Sequence, residues 1–157
     1  MYVRVSVIVA ALLLQIGCSG SPKRQLDPSA FASVRTIELS DATNPVLLAS
    51  TGAKQINEYL EIGLKNRGYA ICRACSADAV ATAVVSEYST KQTSKRDWVG
   101  WGNLNYITTA ETHWTLTIVR NGVVLFQTEV EDEKAMSIEQ LAGQQVQEVM
   151  QKIPVRQ

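Results

Sequence analysis

The dipeptide Asn121-Gly122 constrains the fold of this chain more than any other local feature. It sits between two runs in which apolar and polar residues alternate. Before it, Trp114, Leu116 and Ile118 fall on one face, with His113, Thr115 and Thr117 on the other. After it, Val124, Phe126 and Val130 are expected to continue the apolar face. A two-residue primed turn needs positive φ at both central positions, which Asn and Gly adopt with little strain. The pattern therefore predicts an antiparallel hairpin with one buried face. That face must be covered by something else in the chain.

Two helical patterns can cover it. Residues 51–67 place Ile56, Leu60, Gly63 and Leu64 on one side, while Glu58, Glu61 and Lys65 lie elsewhere. Ser50 or Thr51 can cap this helix, and Gly68 suits its left-handed stop. Near the C-terminus, Ser137-Ile138-Glu139-Gln140 has capping-box spacing. The helix behind it aligns Ile138, Leu141, Ala142, Val146, Val149 and Ile153 before Pro154 ends it.

Three further strands are expected. Residues 34–39 alternate with period two, and residues 69–71 form a short strand ending at Cys72. Residues 79–90 place Val80, Val84 and Tyr88 on one side and Ala81, Ala83 and Val85 on the other. Apolar residues on both faces suggest a central strand. The order β-α-β-β-β-β-α predicts an α+β domain: a mostly antiparallel sheet of about five strands with two helices packed on it. At 157 residues the chain has room for one such core.

The N-terminus has a different character. One charge at Arg4 precedes an unbroken apolar run of eight residues, 7–14. A spanning helix needs about 20 apolar residues, so this run matches an export signal instead. Its end, Ile16-Gly17-Cys18, resembles a bacterial lipoprotein signal, although Gln15 stands where that pattern has an aliphatic residue. The resemblance implies cleavage before Cys18 and lipid on its sulfur. With Ser19 next, in place of an inner-membrane aspartate, it implies the outer membrane. An ordinary secretory signal, leaving a soluble periplasmic binding module, is the alternative. Residues 1–17 then form the signal, 18–30 the lipidated cysteine with a Ser/Gly/Pro-rich tether, and 31–157 the folded domain.

Three cysteines are an odd count for an oxidising compartment. Lipid on Cys18 leaves Cys72 and Cys75 as a pair. Their CxxC spacing has two readings, a structural disulfide or the redox motif of a membrane-tethered thiol–disulfide protein. Against the second, no Trp precedes Cys72 and no clear helical pattern follows Cys75. Ser76 stands where haem attachment needs His, and two cysteines fall short of the four ligands of a structural zinc site. No cofactor or metal is expected.

Residues 91–103 read as a loop carrying Lys91, Lys95 and Arg96 beside Trp98 and Trp101. Exposed tryptophans on a Gly-rich loop can anchor a partner; alternatively both rings fold back over the sheet end. His113 reads as a polar-face strand residue, and Glu129, Glu131, Asp132 and Glu133 as a solvated edge. No Ser/His/Asp arrangement, phosphate-cradling loop or acid/base pair is present. Fifteen basic residues balance fifteen acidic ones, which argues against nucleic acid as a partner. The layout, with Lys65-Asn66-Arg67-Gly68-Tyr69 at a helix exit and Ala77-Asp78-Ala79 at a strand start, resembles small periplasmic lipoproteins. Those serve lipopolysaccharide assembly, transporters or conjugal transfer. The resemblance implies a non-catalytic accessory subunit with membrane lipid and an envelope protein as partners.

Overall fold

A computed structural model describes residues 28–40, 50–96 and 104–156. The elements in chain order are α1 (Pro28–Phe31), β1 (Thr36–Ser40), α2 (Ser50–Asn66), β2 (Ala70–Cys72), β3 (Ala79–Arg96), β4 (Leu104–Arg120), β5 (Val123–Lys134) and α3 (Ile138–Lys152). Apart from the single turn α1, this is the expected order, and the fold is the expected α+β class. The five strands lie in the order β2-β1-β3-β4-β5. β1 runs parallel to both β2 and β3, and the remaining pairs are antiparallel. A parallel pair needs a long crossover, and α2 supplies it between β1 and β2.

Both long helices pack on one face of the sheet. Ile56, Leu60 and Leu64 of α2 and Ala142, Val146 and Val149 of α3 meet Ile37, Ala83, Val85, Trp114, Leu116 and Ile118 in one buried cluster. Asn121 and Gly122 have φ of 50° and 77°, the primed turn that the sequence predicts. Gly68 has φ of 90°, and the Ser137 hydroxyl accepts the Gln140 N–H at 3.2 Å to cap α3. Among the described residues three polar side chains are buried, Asn57, Thr112 and Gln145. The Gln145 side-chain oxygen accepts from the Thr112 hydroxyl and from the Trp114 indole N–H, both at 2.8 Å.

Two bulges overturn expectations about which way residues face. Between Val85 and Glu87 the β3–β4 register shifts by one residue. Tyr88 therefore leaves the side of Val80 and Val84 and turns under α2, because a single extra residue reverses strand parity. Its hydroxyl donates to Gln55 at 2.6 Å, and burial pushes its pKa up to about 12. The second shift lies between Ile118 and Val119. Val124 pairs with Val119 on the open face, and Leu125, not Val124, packs against the core.

The start of β1 is held by Asp78. Its carboxylate accepts the Arg35 N–H at 2.8 Å and the Thr36 N–H at 2.9 Å, while its own N–H donates to the Thr36 carbonyl. Those two backbone bonds hold the carboxyl below its usual value.

Two stability measurements follow. A methyl group on Gly52 would come within 2.3 Å of Tyr88 Cγ, part of a ring that cannot bend away. Gly52→Ala should cost about 1–2 kcal/mol in denaturant unfolding, even though Ala ordinarily favours a helix. Asp78→Ala should lower the melting temperature at neutral pH. Because the folded-state pKa is depressed, the contribution of the ionised group is complete above the ordinary value of 3.8 and fades as pH falls through the folded one. The difference between the two melting curves should therefore narrow in acid.

Candidate functional site

β3 and β4 are far longer than their neighbours. β1 pairs with β3 only as far as Ser40 and Thr82, and β5 pairs with β4 from Arg120 back to Ala110. Beyond that point, among the described residues, β3 and β4 pair only with each other for six residue pairs, from Lys91 and Thr109 to Arg96 and Leu104. At about 3.3 Å per residue this two-stranded arm projects roughly 20 Å past the rest of the sheet. Lys91 and Glu111 form an ion pair at its root. Tyr106 is 64% exposed and Ile107 38% exposed along its length. A two-stranded ribbon is marginal in water, and its unpaired edges offer backbone groups to another chain.

The arm changes the expected loop. Residues 91–96 are strand, so Lys95 and Arg96 occupy the last positions of β3, paired with Asn105 and Leu104. Trp98 and Trp101 belong to the short connection 97–103, outside the described residues, and so does Cys18.

Cys72 and Cys75 form a disulfide with Cα atoms 6.1 Å apart. Ala74, between them, takes a left-handed φ of 51°. Cys72 is the last residue of the edge strand β2, and the chain after Cys75 leads through Asp78 directly into β3. The helix that follows the motif in thioredoxin-like proteins is replaced here by a strand, so the chain after Cys75 supplies no helix N-terminus to stabilise a thiolate.

The remaining candidates fall apart as sites. His113 lies on the open face with Nε2 2.7 Å from Glu129, and Asp132 pairs with Lys134 at 2.6 Å. Among the described residues no group of three or more His, Cys, Asp or Glu side chains converges to hold a metal. No described helix is long and apolar enough to cross a membrane. A shallow groove of about 510 Å³ runs between α2 and α3, with Tyr59, Ile62, Gly63, Gly143, Val146 and Met150 in its walls. Both glycines fell within helical patterns, but nothing in the sequence marked the two helices as neighbours.

Replacing both Cys72 and Cys75 by Ser should cost up to about 2 kcal/mol, the loop entropy of so short a ring. The pair should titrate below about −300 mV and lack insulin reductase activity. A potential in the thioredoxin range with turnover of insulin would assign the pair a catalytic role instead.

Solved structures share this fold. A PelC dodecamer from Paraburkholderia phytofirmans superimposes with TM-score 0.61 and 14% identity, over 79% of this chain and 90% of that one. Lipoprotein GNA1162 from Neisseria meningitidis gives TM-score 0.50 and 16% identity, over 75% and 96% of the two chains. A Xanthomonas campestris protein of family DUF330 gives TM-score 0.50 and 10% identity, over 76% and 83%. No family model matches the sequence, and no curated protein matches it. At these identities the likeness is one of fold, and it is a fold that a bacterial lipoprotein adopts.

Proposed function

We propose that this chain is a non-catalytic accessory or assembly subunit of a bacterial cell-envelope complex. In this reading it is held at the periplasmic face of the outer membrane by lipid on Cys18. The arm is the observation that carries the proposal. A ribbon whose two edges pair with no other described strand, with exposed Tyr106 and Ile107, has more to gain from a partner than from solvent. It delivers Lys95 and Arg96 to its end, with Trp98 and Trp101 in the connection beyond. Aromatic anchors flanked by basic residues suit a partner whose docking surface is acidic at the rim and apolar at the centre.

Support for the anchor is of two kinds. Ile16-Gly17-Cys18 closes a short apolar run, and the fold is shared with a named lipoprotein. Each buried lipid methylene contributes about 0.8 kcal/mol, so several chains on one cysteine make anchoring effectively permanent.

Crosslinking in the native host followed by purification should recover a defined envelope protein. Trp98→Ala/Trp101→Ala should weaken its capture by about 30-fold or more, the scale of a buried aromatic hot spot. Light scattering on the purified lipoprotein belongs beside this measurement, because the PelC neighbour is a dodecamer. A monomer that captures nothing in its own host would end the proposal.

A further inference from the structure

The end of the domain opposite the arm gathers positive charge. The first described residues and the last ones meet there: the Phe31 and Tyr69 rings touch edge to face at 6.3 Å, and the Tyr69 hydroxyl donates to the Pro154 carbonyl at 3.0 Å. The Arg156 N–H donates to the Arg67 carbonyl at 2.9 Å, which lays the C-terminal tail across the α2 exit. Gly68 suits this crossing, since its φ of 90° strains any other residue and an added Cβ would stand 3.2 Å from the Arg156 carbonyl oxygen. On the sheet side, Arg120 donates to the Ser33 hydroxyl, and the Arg35 backbone is bound to Asp78.

Four arginines, from elements far apart in sequence, are thus brought to one pole. Arg35 and Arg120 both act on the Asp78 carboxylate, and Arg67 and Arg156 both act on Tyr69. Lys65 and Lys152, in the last turns of the two helices, offset the negative ends of their dipoles. Two acids lie among these groups: Glu61 pairs with Lys65 at 2.7 Å, and the Asp78 carboxylate is occupied by two backbone N–H groups. Two large apolar side chains stand out at the same end: Val123 beside the hairpin turn, 57% exposed, and Val155 on the tail, 58% exposed.

We propose that this arginine-rich pole is a docking face for an anionic phospholipid surface, with Val123 and Val155 entering the headgroup layer. The inference rests on the lipid-anchor reading of Cys18, and the chain's own layout favours a membrane over other polyanions. Only nine residues, 19–27, separate Cys18 from Pro28 at this pole. Fully extended they span about 30 Å, and as a flexible coil about 15–18 Å. The guanidinium groups are thereby kept near lipid phosphates, about two Debye lengths away at the coil span and about four at full extension, at physiological salt. Exposed apolar side chains ringed by arginines suit an interface with phosphate above hydrocarbon. Docking by this pole also sets an orientation, because β4 alone is about 55 Å long and carries the arm away from the bilayer.

The test uses the chain from residue 19 to residue 157, which lacks the anchor but keeps every core residue from Phe31 to Ile153. Co-sedimentation with phosphatidylcholine vesicles containing phosphatidylglycerol should be strong at low salt and lost at high salt. It should be at least tenfold weaker with phosphatidylcholine alone. Arg67→Glu/Arg156→Glu should weaken binding by about fivefold or more per residue, while Lys91→Glu at the arm root leaves it unchanged. Arg35→Gln/Arg120→Gln gives a second variant should the first melt early. Equal binding to both vesicles, no binding at low salt, or indifference to both arginine pairs would overturn the docking face. Mass spectrometry of the native N-terminus tests the anchor separately. An unlipidated Cys18 with selective vesicle binding removes the anchor alone, and a lipidated Cys18 without selectivity removes the docking face alone.

Discussion

Trp114 has no exposed surface, yet it carries an indole N–H that must find an acceptor once buried. Its position in β4 puts it under α3, and Gln145 descends from that helix to meet it. The same amide oxygen takes the Thr112 hydroxyl, so one helix residue is bonded to two same-face positions of one strand. Apolar contact alone would let α3 slide along the sheet by a turn at modest cost. Two directional bonds in a dry environment, each expensive to leave unmade, fix the helix against the strand. The α2–α3 contact, the groove between them and the closure of the C-terminal tail on Gly68 all depend on that placement.

The parts of this fold visible in the sequence are those governed by local rules. The turn at Asn121 and Gly122, the stop at Gly68, the Ser137 cap and the apolar faces of both helices each depend on residues a few positions apart. The sequence therefore anticipates the element order and the α+β class. What it misses is set by pairing between strands. Nothing in 79–90 announces that Tyr88 changes sides, because a bulge is created by how β3 meets β4. Val124 and Leu125 exchange roles for the same reason. The arm was hidden by composition, since Lys91, Gln92, Thr93 and Ser94 read as loop until β4 is placed beside them.

The candidate sites divide along the same line. The Cys72–Cys75 bond could be read from spacing, and the strand after it was legible as well. The arginine pole was not legible. Its members come from the residues before β1, the α2 exit, the end of β4 and the tail, and a chain with no net charge gives no hint that they converge. In the sequence Asp78 reads only as part of a strand start. Its role comes from the backbone N–H groups of Arg35 and Thr36, which its carboxylate accepts across more than forty residues of chain.

The bulge between Val85 and Glu87 has a consequence for how β3 and β4 find each other. A ribbon sixteen pairs long with one uniform parity could shift by two residues and still bury apolar against apolar. Here the apolar face is read on Ala81, Ala83 and Val85 before the break and on Tyr88 after it. A slipped strand would move that change of side away from Gly52, where the missing side chain leaves room for the ring. The irregularity thus works like the notch of a key: the longest and most slippery pairing in the protein has a single alignment in which every part seats.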